Sequence, residues 1–409
     1  MSSITIPSAD IDRLREPDEA KEIIQRHTPI LATEAVPLLD LAGRVLREEI
    51  ISDADYPAFP AATMDGYAVI SDDDAPIRRV IGDQFAGNLA GLHVKRGTAA
   101  YITTGAPMPM GADAVVMVER TETASDGVRI GITPKRGDNI RAIGSDLKQG
   151  ERVLAAGTVL SPAAIGLLAS LGYVTARVPR RPRVSVLATG DELVEPGQPV
   201  GPGQIRDANR FALVAALAPL GVTLVYAGLA PDTDVAQRAF FRERIADSDV
   251  VITSGGVSMG RKDLVKGLLM ELATVHFRQL RMRPGKPFTF ATVGNTLLFG
   301  LPGNPVSGLV GFELFVRPTL LRMQGYTNVE RPRARVRLAH DITPIDRIDY
   351  LRARLERTDD GALLASSTGA QQSSRLASFI GAQALVIVPP RAETYHAGEL
   401  LDALLLDVV

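Results

Sequence analysis

The chain contains no cysteine. Disulfides, thiolate nucleophiles, iron–sulfur clusters and cysteine-based zinc sites are therefore outside its chemistry. Histidine is scarce. Five are scattered through 409 residues, and none stands in the H-E-x-x-H arrangement of a zinc hydrolase. No run of roughly 18 apolar residues occurs, so no membrane-spanning helix is expected. The first 15 residues mix polar and charged side chains without the apolar centre of a secretory leader, and a cytoplasmic protein is expected. An excess of one charge is also missing. The 45 basic and 47 acidic residues leave a net charge of −2, without the basic surplus of a nucleic-acid binder.

What is present is ample core-forming material. With 45% hydrophobic and 22% charged residues, the composition suits a globular protein of two to four domains.

Residues 16–26 read as a short amphipathic helix, with Pro17 in its first turn and Ala20, Ile23 and Ile24 on one face. From 55 to 139 the pattern turns to short strand-like runs at 67–70, 97–103, 114–118 and 128–132, broken by Gly, Pro and Asp turns. A helix follows at 162–171. The expectation is a mixed α/β domain built from 1–54 and 140–178, with 55–139 inserted as a β-rich domain. The stretch Pro179-Arg180-Arg181-Pro182-Arg183 resists regular structure and reads as a solvated hinge in preference to a binding element.

Beyond it, strands and helices alternate. Strands are expected at 184–188, 222–228, 250–253, 275–282, 288–292 and 296–299. Helices are expected at 209–220, 235–245, 263–272 and 305–324. Such alternation implies an open, mainly parallel sheet covered by helices, over 179–328. Residues 329–409 carry further strand-like runs at 333–338, 350–355, 362–366 and 384–388, and a small β-barrel or sandwich is expected. The alternating arginines from 331 to 337 read as a solvated strand face. The fold class is thus multidomain α/β.

Ligand sites in open α/β sheets lie beyond the carboxyl ends of the strands, and the sheet domain carries its glycines and acids there. Thr189-Gly190-Asp191-Glu192 follows the first strand, Ser254-Gly255-Gly256-Val257-Ser258 the third, and Leu301-Pro302-Gly303-Asn304-Pro305-Val306-Ser307 the last. Glycine lets backbone approach an anion closely, and a helix N-terminus adds donors. Singly, each loop is also a plain tight turn; three at one sheet edge favour an anionic small molecule. Asp191, Glu192, Asp232 and Asp263 should converge near the same edge, where facing a phosphate requires a divalent cation such as Mg2+ between them. For Asp191 and Asp263, helix capping is the simpler explanation. Arg283-Pro284-Gly285-Lys286 aims two cations from a stiff turn, suited to an oxyanion or to a charged hairpin. Within the β-rich part, Met64-Asp65-Gly66-Tyr67-Ala68 and Thr103-Thr104-Gly105 read by composition as turns, and Arg141 with Asp146 is ambiguous alone.

Taken in order, M-D-G-Y-A, T-T-G-A-P, G-x-N-I-R, T-G-D-E-L, S-G-G-V-S-M-G, P-G-K-P-F and L-P-G-N-P-V-S resemble the molybdopterin molybdenumtransferase family. That family includes bacterial enzymes, the plant enzyme's E domain and the E domain of gephyrin. The likeness runs from about residue 10 to the C-terminus. It implies a homodimer with its site at the subunit interface. It also implies a Mg2+-dependent reaction in which molybdate and adenylylated molybdopterin give molybdenum cofactor and AMP. Under the resemblance Asp65, Asp146, Glu192, Asp232 and Lys286 match catalytic positions, and Glu192, Asp232 and Asp263 the metal. Thr104, Gly190, Gly255, Gly256, Ser258, Asp263, Arg283, Pro302, Pro305, Ser307, Arg347 and Ser374 match binding positions, with Lys286, Ser307, Ser374 and Arg347 around molybdate. Arg283 stands where many relatives carry Lys, Ala61-Ala62-Thr63 where a Ser is common, and Ser145 where Glu is common. Two other activities stay open: a molybdopterin adenylyltransferase, which has a similar sheet domain, and a non-catalytic scaffold of the gephyrin type. Tungstate in place of molybdate also stays open. The adenylyltransferase and molybdoenzyme-maturation proteins are the partners the resemblance suggests; nucleic acid and membrane are not expected.

Overall fold

The computed structural model describes residues 8–230, 234–255 and 273–406. The chain divides into two compact units: Met1–Val36 with Arg177–Val409, and Pro37–Ala176.

The first unit is built on a seven-stranded sheet. Its order is Leu14–Arg15, Thr274–Leu280, Pro287–Val293, Thr296–Leu301, Val250–Ser254, Arg183–Ala188 and Thr223–Leu229. Four of the neighbouring pairs are parallel, and only the Pro287–Val293 strand runs antiparallel to its neighbours, as the strand–helix rhythm of the sequence implies. Both faces are covered because side chains alternate along each strand. Val184, Val186, Val250, Ile252 and Phe299 pack with Leu213, Leu217, Val306 and Val310. Leu187, Val251, Leu298 and Ala291 turn the other way, onto Phe241. Burying one such Leu or Phe stabilises the fold by about 1.5–3 kcal/mol. Ser185, inside a run of apolar neighbours, is tolerated because its hydroxyl meets that of Ser248 at 2.8 Å.

Helix Pro17–His27 has Pro17 at its start, Asp18 and Glu19 in the first turn, and Arg26 and His27 in the last. That charge order matches the helix dipole. Ala20 and Ile24 are its buried contacts. The expected single helix at 305–324 is three consecutive pieces: helix Pro305–Gly311, a π-helical turn Phe312–Val316, and helix Arg317–Met323. Pro318 is the physical reason, since it gives no N–H to the preceding turn and crowds its carbonyl. The helix expected at 263–272 lies outside the described residues.

The hinge reading of 179–183 is corrected. Residues 180–182 join strand Thr175–Pro179 to strand Arg183–Ala188. Arg180 grips both carboxylate oxygens of Asp249, at 2.6 and 2.7 Å, and the Arg183 N–H adds a third bond at 2.8 Å. The linker is fastened to the sheet.

Strands Ile348–Arg357, Leu363–Ser367, Arg333–Leu338, Leu400–Leu405 and Ala384–Val388 pair in that order, and the last pairs back to the first. The expected barrel or sandwich is therefore a closed five-stranded barrel, with Val336, Ala353, Ala365, Val386 and Ala403 inside. Strand Met282–Arg283 joins it alongside Ile348–Asp349. The solvated arginine face holds in part: Arg335 and Arg337 are exposed enough to pair with Asp402 at 3.3 Å and Asp360 at 2.9 Å. Arg331 departs from it, forming a two-pronged bond to Glu313 at 2.9 and 3.2 Å.

The second unit holds a six-stranded sheet, in the order Ala114–Met117, Gly66–Val69, Thr98–Ile102, Ile77–Gln84, Gly127–Ile130 and Thr121–Ala124. Two ribbons join distant parts of its chain: Ala61–Ala62 with Ile140–Arg141, and Ile50–Ile51 with Arg152–Leu154. Helix Pro162–Ser170 starts where the Ser161 hydroxyl accepts the Ala164 N–H at 3.3 Å, and Gly172 follows its end with φ +83°.

Candidate functional site

In the first unit the strand ends are drawn together by contacts that only glycine allows. Gly255 has φ +87°, and a Cβ there would lie 2.4 Å from the Thr189 carbonyl oxygen. The Gly255 N–H donates to the Leu301 carbonyl at 3.1 Å, and the Thr189 N–H to that of Ser254 at 3.0 Å. Asn209, opening helix Asn209–Leu217, bonds Ser254 Oγ at 2.8 Å and the Gly303 carbonyl at 2.7 Å. The three strand-end loops thus meet around a cavity of about 280 Å³, whose walls include Thr189, Glu192, Asn209, Gly255, Pro305 and Ser374.

Glu192 is exposed at the cavity lip, and its carboxylate folds back over Gly190, where a Cβ would lie 2.6 Å from it. Asp191 precedes no helix: residues 193–206 leave the strand end as a small ribbon in which Leu193–Val194 pairs with Ile205–Arg206. The capping explanation therefore fails for Asp191. Behind the ribbon, Arg210 holds Asp207 at 2.7 Å and the Ala227 carbonyl at 3.3 Å.

Pro302 and Ser307 are buried, and Pro305 begins helix Pro305–Gly311. The start of this helix is already occupied. The Val306 N–H donates to the Ser373 carbonyl and Asn304 Nδ2 to Ser373 Oγ, both at 3.1 Å. Ser373 therefore brings Ser374 to the cavity wall. The Pro284–Gly285–Lys286 turn lies against the same helix, where a Cβ on Gly285 would stand 3.7 Å from the Ser307 carbonyl. Its two cations differ in availability. Arg283 is ion-paired to the buried Asp349, which raises its pKa. Lys286 is exposed with no ion-pair partner among the described residues.

Arg347 is paired to its neighbour Asp346 at 2.8 and 3.2 Å and is not part of the cavity wall. A different arginine supports the Ser374 loop. Arg352 is fully buried, and burial lowers its pKa to about 10. Its guanidinium donates to Ser378 Oγ at 3.1 Å. The Gln371 amide brackets its backbone, accepting from the Arg352 N–H at 2.9 Å and donating to its carbonyl at 3.1 Å. Neither Asn209 nor Arg352 was singled out from the sequence. The available signal for Arg352 was an Arg between apolar residues at a strand position whose neighbour Leu351 is apolar. Asp232, Gly256, Ser258 and Asp263 lie outside the described residues. Among the described residues no group of three or more His, Asp or Glu side chains could hold a metal ion.

The second unit carries a separate polar cluster. Asp65 Oδ1 accepts the Thr104 N–H at 2.6 Å and its hydroxyl at 2.8 Å, and these bonds lower the Asp65 pKa. Asp146 is ion-paired to Arg141 and accepts from Ser145 Oγ at 3.3 Å. The Ala61–Ala62 ribbon links the two, since Ala61 pairs with Arg141 and the Ala62 carbonyl accepts the Gly105 N–H at 2.8 Å. Gly66 has a packing role: a Cβ there would lie 2.0 Å from the Val116 carbonyl.

These features define an α/β protein with a cavity at its strand ends and a β-barrel fastened beside it. The chain matches the MoeA N-terminal region (domain I and II) over residues 15–172, a probable molybdopterin binding domain over 185–322, and the MoeA C-terminal region (domain IV) over 335–406. It is 36% identical over 388 residues to a molybdopterin molybdenumtransferase of Haemophilus influenzae, covering 93% of this chain and 96% of that one. It is 36% identical over 389 residues to a namesake of Bacillus subtilis, covering 91% and 90%. A crystal structure of the molybdopterin biosynthesis MoeA protein from Pyrococcus horikosii superposes with a TM-score of 0.82 at 31% identity, covering 97% of this chain and all of that one. The chain belongs to the molybdopterin molybdenumtransferase family.

Proposed function

We propose that the chain inserts molybdenum from molybdate into adenylylated molybdopterin, releasing AMP. The observation that carries this reading is the convergence of Thr189, Glu192, Gly255, Pro305 and Ser374 on one cavity. The anionic substrate binds where glycine backbone approaches it closely. Lys286 gives a point charge to the tetrahedral oxyanion, with the Ser307 and Ser374 hydroxyls beside it. Catalysis is by positioning and charge stabilisation.

Glu192 fits a Mg2+ site, being an exposed carboxylate without an ion-pair partner among the described residues. Asp232 and Asp263 complete the proposed set. When bound, the ion offsets phosphate charge and polarises the pyrophosphate. Asp65 and Asp146 are carried as further catalytic residues. Homodimerisation, a cytoplasmic setting and hand-over from an adenylyltransferase or to maturation proteins belong to the same reading. No helix among the described residues is long and apolar enough to cross a membrane.

Matches outside the sheet domain, over 15–172 and 335–406, favour this activity over adenylyl transfer. AMP release from adenylylated molybdopterin, with and without molybdate and Mg2+, is the direct test. Lys286→Ala should stay folded and lose on the order of 100-fold in molybdate-dependent turnover. Normal turnover by both Lys286→Ala and Glu192→Ala would overturn the assignment. Adenylylated product formed from ATP would support the adenylyltransferase instead.

A further inference from the structure

Asn209 does more at the cavity than tie two loops together. Its Nδ2 reaches the Gly303 carbonyl at 2.7 Å and Ser254 Oγ at 2.8 Å. A backbone carbonyl can only accept, so the nitrogen of the amide must face Gly303 and the oxygen must face away. Asn209 is part of the cavity wall and half-buried. Its Oδ1 has no hydrogen-bond partner among the described residues. The result is an acceptor held in place in the cavity wall, open to whatever the cavity holds.

The identity of the matching group follows from charge. Phosphate and molybdate oxygens are acceptors at neutral pH, and a carbonyl oxygen repels them. The group that meets Oδ1 is therefore a hydrogen-bond donor or a cation, and among the substrate's own groups it is one that carries a hydrogen.

We propose that Asn209 Oδ1 accepts a hydrogen bond from the nucleoside part of the substrate, either the exocyclic amine of the base or a ribose hydroxyl, and so determines nucleotide specificity. This rests on the adenylylated substrate of the proposed function lying in the strand-end cavity, with its nucleoside part at Asn209. Asn209 also positions the loops after Ser254 and Leu301, and the two roles separate experimentally. Loop displacement weakens every ligand alike, whereas loss of the acceptor erases discrimination between ligands.

Calorimetric binding to the full chain would use AMP, purine riboside 5′-monophosphate, which lacks the amine, and the 2′- and 3′-deoxy forms of AMP. Wild type should bind AMP about tenfold more tightly than the analogue lacking the matched donor. For Asn209→Ala that ratio should fall to near one. Asn209→Asp keeps an acceptor while losing the amide that holds Gly303, so it should weaken all ligands and retain the preference. Its result stands alone if the alanine variant fails to fold. Equal affinity of wild type for all four ligands, or an unchanged preference in Asn209→Ala, would overturn the proposal while leaving the nucleotide site intact. Failure of wild type to bind AMP at all would remove the nucleotide site and this role with it.

Discussion

Asp65 takes both donors of Thr104 on a single oxygen: the backbone N–H at 2.6 Å and the hydroxyl at 2.8 Å. Hydrogen bonds to the charged form favour it, so the carboxyl sits below its usual range. Thr104→Val removes the hydroxyl and keeps the N–H. The Asp65 pKa should rise part of the way to its ordinary value, as followed by NMR titration of the carboxyl carbon. An unchanged pKa would show that the hydroxyl contributes nothing. Because the folded pKa is depressed, the associated stability exists above the unfolded pKa and disappears as pH falls through the folded one.

Gly66 stands in the centre of M-D-G-Y-A, beside that acid, yet what it accommodates is the neighbouring strand. A Cβ would lie 2.0 Å from the Val116 carbonyl and 2.9 Å from Met117 Cα. Gly66→Ala should therefore destabilise the second unit by about 3 kcal/mol, read from urea unfolding of the whole chain. Loss of turnover with unchanged stability would assign the glycine to ligand approach instead.

Asp249 is mostly buried, which alone would raise its pKa, but Arg180 and the Arg183 N–H outweigh burial and lower it. Removing Arg180 leaves that carboxylate short of its main partner. Arg180→Ala should cost about 2 kcal/mol, seen as a lower urea midpoint. The loss should shrink at acidic pH, where Asp249 protonates and the pair no longer contributes. An equal loss at all pH values would point to packing of the arginine stem.

His276 is buried beside Phe290 and His27, with Nε2 3.0 Å from Thr292 Oγ1. Burial, and secondarily His27, lowers its pKa from 6.5 to about 4. The folded state thus binds its proton later than the unfolded chain. The stability linked to it is complete above pH 6.5 and lost progressively as pH falls to about 4, amounting to about 3 kcal/mol. His276→Phe keeps an aromatic ring and removes the titration. Its stability should fall less steeply over that interval, and a slope equal to wild type would reject the assignment.

Much of the sheet unit was legible because buried parallel strands are written as short apolar runs between Gly, Asp and Pro turns. Val184–Ala188 and Val250–Thr253 need no long-range information to be seen. Strand Ile77–Gln84 was missed: its apolar positions are interrupted by Arg78 and Arg79, and Arg78 is accepted inside only because Asp73 and the Ile70 carbonyl meet it. Leu400–Leu405 was also missed, since its strand character comes from pairing with Arg333–Leu338. The same limit governs the site. Glycine-rich strand ends and Lys286 announce themselves locally. Arg180, Arg283 and Arg352 do not, because their partners Asp249, Asp349 and Ser378 lie far away in sequence, and only the fold turns apparent free cations into internal ties. Gly66 shows the converse: a motif residue whose composition reads as a turn lies in strand Gly66–Val69, against the backbone of its neighbour.

The continuity of Pro37–Ala176 within an otherwise divided chain bears on synthesis. A ribosome delivers every residue of that unit before most of the other exists, so it can mature while still tethered. The flanking N-terminal segment must wait: Leu14 pairs with Gln279, which emerges on the order of ten seconds or more later at typical translation speeds. During that interval the apolar face of Ala20 and Ile24 has no finished surface to rest on.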